Sequence, residues 1–538
     1  MLEWLPRTPA IMYVWARLWL DIGRDVDAAA AFESLAGSFG PHKSLLFEDA
    51  DALAAVLPGA QLFDSDFEFY LHVSALFKAS SLVDHEVPFP RLALSVAPAD
   101  WDTLDLWHAI IKGSLDLGYW DDAYSALMAT PHDRLRRDCA RQLVYRMCEE
   151  HAIEQLVSFS FTGISDEVVE SLSFKARNAD PRARPSYSRI LYTWYVSRGD
   201  YRNAALVMYQ RARKLGALAK DPKQYLVLTD QQLEAYTVAM NALALLDQKN
   251  AWIVLPISYE SGQPRKRRRL TKHIPEDKLS GGKRDSEYVE LSDILSEYTL
   301  LSVQVDLVRT DPSLLALSES LLTPSGVVLR LAQSNRFNLA LATARTLNVD
   351  MTDLFSHLTR QCLRLSRNPD VGISEDMTDW LLTDRATSWA GSWAARGWRY
   401  LRQSLERHDS VETDYAYSKV VFETIAGFER TSVPPPWLVQ ILEGFHPEWL
   451  IRTAMRYDML EFSLEQTLAL IRKTDQRLAQ EPQKSTMSTW LPYALIDQLL
   501  VATAEQRISP RAEKMRRDLH TDVSNRTKRM QRLSKEVV

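Results

Sequence analysis

Residues 190–215 read ILYTWYVSRGDYRNAALVMYQRARKL, and this stretch decides the fold. Apolar side chains at helical spacing, including Leu191 and Trp194, precede a turn at Gly199. A second apolar helical pattern begins after the turn at Ala204. The sequence therefore predicts a hairpin of two helices.

The junction of this hairpin recurs along the chain. A Gly or a polar residue is followed two positions later by a bulky residue and five positions later by a small one. Gly and Asn tolerate the left-handed backbone that ends a helix, and a small residue lets two helix axes approach closely. We expect the bulky residue, Tyr201 in this copy, to fill the corner between the helices. The copies begin at Gly118, Gly199 and Asn335, with looser versions at Gly23 and Asp458.

A repeated helical hairpin predicts an all-α fold, specifically an irregular α-solenoid of stacked hairpins. Successive corners lie 95, 81, 136 and 123 residues apart, whereas tetratricopeptide and ankyrin arrays keep a period of about 33–34 residues. Strand signals are almost absent, so neither a propeller nor a dinucleotide-binding sheet is expected. Irregular solenoids usually act as scaffolds or adaptors, because their long surface is left free for partners.

Composition places the chain among folded intracellular proteins. Its 538 residues are 46% hydrophobic, which is enough to bury a core. Cys139, Cys148 and Cys362 have neither metal-ligand nor redox spacing, so we expect a reducing compartment. No window reaches the roughly 18 apolar residues that a membrane span requires, and the first residues lack the features of a secretory signal. We expect no membrane span.

Charge is unevenly distributed. Residues 262–285 and 507–538 each carry a net charge of +6, which leaves −18 on the rest of a chain whose total is −6. An acidic body repels phosphate backbones, so no direct nucleic-acid binding is expected.

The first basic segment also divides the chain. Residues 261–286 have several helix breakers and no apolar period, so we predict a flexible surface loop. The run Arg265, Lys266, Arg267, Arg268 and Arg269 has the composition of a nuclear localisation signal, and a solvated charge run is the alternative.

We predict four parts: a helical stack over 1–260, the loop over 261–286, a second stack over 287–473, and a linker, apolar helix and basic tail over 474–538.

The motifs of common enzymes are absent from the sequence. It contains no Gly-rich phosphate loop, no zinc-protease motif and no nucleophile elbow. The 11 His residues are scattered, as is usual for structural histidines. We therefore predict no catalytic residue, no metal ligand, no cofactor and no small-molecule substrate.

Four blocks of the sequence resemble a known family. They are YSRILYTWYVSRGDYRNAA at 187–205, AWIV at 251–254, and the segments 331–352 and 435–460. They are similar to the helical region of the large propeller-plus-solenoid scaffold nucleoporin of the Y-shaped outer-ring complex of the nuclear pore. That protein is of the one-hundred-and-twenty to one-hundred-and-sixty kilodalton class. Because this chain opens in helices, the resemblance covers only the family's C-terminal helical portion.

The resemblance implies a non-enzymatic scaffold at the nuclear pore, in the nucleus and associated with the nuclear envelope. The implied partners are other Y-complex nucleoporins, namely the other short-arm and the stem components at the hub, and the implied role is support of protein and mRNA transport. A tetratricopeptide-like adaptor that binds peptides or helical segments is the alternative. An RNA-binding helical repeat would need a basic face, which the acidic body lacks.

The chain contains one further candidate surface, near its end. An apolar helix follows a polar break at 473–488, and such a helix either docks on its own stack or fills a groove on a partner. The resemblance favours the partner, because it places contacts between subunits in the C-terminal part. The predicted partner-binding residues are Trp490, Leu491, Tyr493, Leu495 and Leu499.

Overall fold

The computed structural model describes residues 7–39, 45–80, 87–219, 223–256, 286–313, 323–368, 380–381, 388–428, 433–480, 491–505 and 509–536. Within these ranges the chain forms 24 α-helices and one two-stranded sheet. The predicted all-α fold is confirmed. Contacts between Cα atoms divide the chain into two compact units, Met1–Leu295 and Ser296–Val538, called unit 1 and unit 2 below.

Unit 1 is a succession of helices in which each packs mainly on its sequence neighbours. Its elements are α1 (Pro9–Ile22), α2 (Asp25–Ala36), α3 (Phe47–Val56), α4 (Asp66–Ala79), α5 (Pro88–Ser95), α6 (Leu104–Asp116), α7 (Trp120–Ala129), α8 (Asp133–Glu149), α9 (Ile153–Ser158), α10 (Ser165–Asn178), α11 (Tyr187–Ser197), α12 (Tyr201–Leu218), α13 (Tyr225–Ala244), β1 (Trp252–Pro256) and β2 (Ser286–Glu290).

Unit 2 continues in the same manner after α14 (Leu291–Thr310), the helix that contains the boundary between the units. The remaining helices are α15 (Pro324–Gln333), α16 (Phe337–Thr346), α17 (Thr352–Arg367), α18 (Trp393–His408), α19 (Ala416–Phe428), α20 (Pro436–Phe445), α21 (Pro447–Arg456), α22 (Leu460–Gln480), α23 (Tyr493–Glu505) and α24 (Pro510–Glu536).

All five predicted corners have the left-handed backbone. The φ angles at the corner residues lie between 58° and 81°. At each corner the next residue's backbone N–H donates to the carbonyl five positions earlier, over 2.8 to 3.0 Å. This bond satisfies a carbonyl that the helix end leaves without a partner. The corner residues are Gly23, Gly118, Gly199, Asn335 and Asp458.

The small residue of each corner is fully buried, as the pattern predicts. Its exposed fraction is 0% at every copy, where the second helix crosses the first. A larger side chain at this position would push the two helix axes apart. The five residues are Ala28, Ala123, Ala204, Ala340 and Ser463.

The bulky residue is less regular than we predicted. Phe337 is fully buried and its ring meets Trp380 edge to face, with ring centroids 5.3 Å apart. Trp120 and Tyr201 are only half-buried. The left-handed residue and the small residue therefore define the corner, and the bulky residue fills it completely only at Phe337.

The sheet is a feature that the sequence did not predict. Strands β1 and β2 pair antiparallel, with Ile253 opposite Val289 and Pro256 opposite Ser286. Ile253 and Val289 are buried, while the guanidinium carbon of Arg202 on α12 lies 4.0 Å from the ring centroid of Trp252. The strand pairing brings together the two ends of residues 257–285.

Two predicted boundaries differ from the structure. The predicted start of the last part, residue 474, lies inside α22, and the helices after it pack against α22. Ser286, placed in the flexible loop, begins β2. The rest of the predicted loop that precedes it, 261–285, lies outside the described residues.

Candidate interaction surfaces

The C-terminal helices of unit 2 share one apolar core. Apolar side chains recur along α22 at helical spacing, and they meet the apolar faces of α23 and α24. The buried members include Leu464 and Ile471 of α22, Leu495 and Leu499 of α23, and Leu519 of α24. The three helices therefore form a single packed end of the unit.

This core contains three of the predicted partner-binding residues. Leu491, Leu495 and Leu499 are 0%, 4% and 0% exposed, so their side chains cannot reach a partner. The assignment of these three leucines to a partner surface was wrong. The apolar helix docks on its own stack, because α22 and α24 offer it a complementary apolar face. Trp490 lies outside the described residues.

Tyr493 is the one predicted residue that the structure places on the surface. Its side chain is 40% exposed, and Val501, two turns along the same face of α23, is 57% exposed. Asp497 and Gln498 lie between them and are also exposed. We call Tyr493, Asp497, Gln498 and Val501 the α23 outer face.

The basic tail is an ordered helix rather than the frayed one that its charge suggests. Ala512, Leu519 and Arg526 recur every seven residues and are 0%, 0% and 1% exposed, so they form the inner stripe of α24. The Arg526 guanidinium donates to the Asp475 carboxylate and, over 3.1 Å, to the Thr474 hydroxyl. A buried charge is tolerated at this core position because α22 supplies its counterion.

The opposite side of α24 is basic and solvent-exposed. Arg511 and Arg517 have side chains 74% and 72% exposed, and Lys514, Lys528 and Arg529 are exposed as well. We call these five residues the α24 basic face. Arg517 is paired with Glu513 at 2.7 Å and Arg511 lies 3.9 Å from Glu465, so Lys514, Lys528 and Arg529 contribute most of the positive charge of this surface.

The three cysteines are buried. Burial raises the pKa of Cys139 to about 11 and that of Cys148 to about 12, and it also raises the pKa of Cys362. A thiolate is the reactive form of cysteine, so these shifts suppress nucleophilic and metal-binding chemistry. Among the residues that the structure describes, no three His, Cys, Asp or Glu side chains are grouped to hold a metal ion.

Two other sequence predictions bear on these surfaces. Arg265, Lys266, Arg267, Arg268 and Arg269 lie outside the described residues. In the described part of the chain, no helix is both long and apolar enough to cross a membrane.

Comparison with known proteins shows which family the chain resembles. Residues 1–149 match the model of "Nucleoporin Nup120, HEAT repeats", and residues 290–538 match that of "Nup160 C-terminal TPR". Nuclear pore complex protein Nup160 of Mus musculus is 28% identical over 509 residues, which are 92% of this chain. The chain therefore resembles the Nup120/Nup160 nucleoporins over most of its length.

The chain spans only about a third of the length of these relatives. The alignment with mouse Nup160 covers 35% of that protein. Nucleoporin NUP120 of Chaetomium thermophilum is 27% identical over 282 residues, which are 47% of this chain and 22% of that protein. The solved C-terminal domain of Chaetomium thermophilum Nup170 covers 97% of the chain and is itself covered over 96%, at 12% identity and a TM-score of 0.34. A TM-score this low supports no conclusion about the chain.

The predicted family resemblance is confirmed, with one qualification about repeat type. HEAT and tetratricopeptide repeats are both stacks of helical hairpins, as the sequence predicted. The nucleoporin model for residues 290–538 is nevertheless of tetratricopeptide type, although the marked corners do not follow a 34-residue period.

Proposed function

We propose that this chain is a structural segment of the nuclear pore scaffold that binds other outer-ring nucleoporins through its helix faces. The observation that supports it most is the match of both ends of the chain to nucleoporin family models. The stacked helices suit the role, because each layer contacts its neighbours and leaves a long surface for partners. Support of protein and mRNA transport would follow from this scaffolding, without catalysis.

The partner surface that we propose combines the α23 outer face with the α24 basic face. Tyr493 is an exposed aromatic residue on a packed helix, and such residues are frequent anchors at protein interfaces. The α24 basic face favours an acidic partner, because complementary charge speeds encounter and fixes orientation. The partner we propose is therefore an acidic helical surface of a neighbouring Y-complex nucleoporin at the hub, from a short arm or the stem.

Co-elution on a sizing column tests this proposal. The chain is mixed with purified short-arm and stem nucleoporins of the same organism, and we expect one complex at moderate salt. The double variant Tyr493→Ala with Val501→Asp should lose co-elution, since both side chains are exposed and the core beneath them stays intact. Val227→Asp is the matched control, because Val227 is 62% exposed on α13 of unit 1.

The two parts of the proposal fail in different ways. Absence of any complex with the unmodified chain would contradict the scaffold function. Undiminished co-elution of the double variant would instead show that the partner binds a different face.

We also propose that Arg265, Lys266, Arg267, Arg268 and Arg269 act as a nuclear localisation signal. The composition supports this, because a run of five basic residues is typical of such signals. A fluorescent protein fused to residues 257–285 should accumulate in nuclei. The same fusion with these five residues changed to Ala should not, and equal accumulation of both would contradict the signal.

A further inference from the structure

A pocket of about 220 Å³ lies where α10, α11 and α12 of unit 1 meet. Three of its lining residues are cationic: Arg177 at the end of α10, and Arg211 and Lys214 on one face of α12. Its lining contains no carboxylate. On a chain of net charge −6, this arrangement needs a physical explanation.

Arg211 is the most informative of the three cations. It is 6% exposed, and one of its terminal nitrogens donates to the hydroxyl of Ser186, a neutral group. Burial lowers its pKa, as expected when a cation loses water. Burying a charge without a counterion is costly in free energy.

The nearby carboxylates are already engaged by other groups. The charge of Glu234 offsets part of the effect of burial on the pKa of Arg211, but its carboxylate accepts two hydrogen bonds from the Arg189 guanidinium, at 2.7 and 2.8 Å. Asp200 accepts from the backbone and side-chain nitrogens of Asn203 at 3.1 and 2.7 Å. Neither lines the pocket.

Lys214 and Arg177 add like charge at the same place. The Lys214 ammonium donates over 2.9 Å to the carbonyl of Ala176, and also to that of Arg177, so it caps the end of α10. An ammonium has three donors, which leaves one available to a ligand. Burial lowers the pKa of Lys214, and the charge of Arg177 lowers it further.

We propose that this pocket binds a phosphoryl group. Three cations from two helices suit a dianion with several acceptor oxygens better than they suit a single carboxylate. Ala176, Leu191 and Val207 form an apolar wall on one part of the lining, and the rest includes the polar side chains of Ser173, Ser188, Asn203 and Gln210. A water molecule takes up about 30 Å³, so the volume also admits carbon atoms attached to the phosphate.

Such a group has two possible sources, which are a phosphorylated Ser or Thr side chain of a protein and free inorganic phosphate. Both present the same oxygens to Arg177, Arg211 and Lys214. They differ in whether the apolar wall is used, because only the side chain supplies carbon atoms to cover it.

Titration calorimetry on the full chain tests the site, at constant ionic strength set with chloride. The ligands are inorganic phosphate, N-acetyl phosphoserine amide and, as the uncharged control, N-acetyl serine amide. The variants are Arg177→Gln, Arg211→Gln and Lys214→Gln. Arg146→Gln is the matched control, because Arg146 is an α8 arginine outside the pocket lining, with a side chain 46% exposed.

We expect the unmodified chain to bind the two phosphate ligands but not the serine amide. Each pocket variant should weaken binding about tenfold or more, the effect of losing one charge-assisted hydrogen bond, while Arg146→Gln changes it little. Tighter binding of phosphoserine amide would identify a protein side chain as the source, and tighter binding of inorganic phosphate would identify the free anion.

Two results would overturn the site. One is no binding of either phosphate ligand by the unmodified chain, and the other is an equal loss in Arg146→Gln. Circular dichroism checks that each variant folds. If Arg211→Gln does not fold, the exposed Arg177 decides the outcome, because its replacement leaves the helix contacts of α12 in place.

Discussion

Phe337 gives the sharpest test of the corner structure. Its side chain is fully buried where α15 meets α16, with its ring 5.3 Å from that of Trp380. Its small neighbours Ala340 and Ala344 are also fully buried and cannot expand into the space. Phe337→Ala should therefore leave a cavity and lower the free energy of unfolding of unit 2 by about 3–5 kcal/mol.

Tyr201 provides a control at the same position of the motif. It follows Gly199 as Phe337 follows Asn335, but it is only half-buried. Because less apolar contact is lost, Tyr201→Ala should cost about 1 kcal/mol or less. Comparing the two variants therefore separates the effect of burial from the effect of the residue's position in the motif.

Hydrogen exchange measured by mass spectrometry is the suitable assay, because two compact units need not unfold in one transition. Peptides from α15 and α16 should lose protection in Phe337→Ala, and peptides from α11 and α12 should keep it in Tyr201→Ala. Urea titration gives the corresponding change in midpoint. Equal losses in the two variants, or no loss in Phe337→Ala, would refute the role of the buried corner residue.

Three further predictions concern backbone, charge and protonation. Gly199→Ala should destabilise unit 1 by about 1–2 kcal/mol, because φ is +75° at this position. Gly37→Ala should have little effect, because φ is −60° there and the space around it is open. Equal effects of the two variants in a thermal melt would contradict this. Asp475→Asn should lower the free energy of unfolding by about 3 kcal/mol, because it removes the carboxylate that faces the buried Arg526 charge. Arg526→Met should be nearly neutral, because it removes the buried charge itself. Urea midpoints that rank the two variants the other way would refute the ion-pair argument. Burial lowers the pKa of His72 from its ordinary value of 6.5, so the unfolded state binds more protons below that pH and stability should fall as the solution is acidified. His72→Gln should make the unfolding midpoint depend less steeply on pH. An unchanged slope of midpoint against pH would contradict this.

The corners could be predicted because their chemistry is local. A left-handed Gly or Asn followed five positions later by a small residue is visible within one window of sequence. The same window could not show how deeply Tyr201 or Phe337 is buried, because that depends on other segments. Trp380, which covers Phe337, lies more than 40 residues further along the chain.

The sheet was missed for a related reason. Ile253 and Val289 point inward and alternate with exposed Tyr288, but the two strands are separated by the whole of residues 257–285. Each strand has five residues, which is short for a periodic pattern. Pairing between such distant segments is not encoded in either strand alone.

The C-terminal surface shows a different limit. Apolar periodicity in α23 predicts that one face is covered, but it does not say whether this chain or a partner covers it. The structure gives that role to α22 and α24. Truncation at Lys473 should therefore destabilise the end of unit 2, because it removes the helices that cover Leu464 and Ile471.

The phosphate pocket was invisible in the sequence for a physical reason as well. Arg177 and Arg211 lie on different helices and far apart in the sequence. Only the packing of α10, α11 and α12 brings their charges together.

The central claim, that this chain scaffolds the pore by binding outer-ring nucleoporins, is tested most directly in the cell of origin. The protein that contains this chain is tagged at its own locus, isolated at moderate salt, and its associated proteins are quantified by mass spectrometry. We predict outer-ring nucleoporins in near-stoichiometric amounts, reduced when Tyr493→Ala and Val501→Asp are introduced. Recovery of the protein without other nucleoporins would contradict the claim.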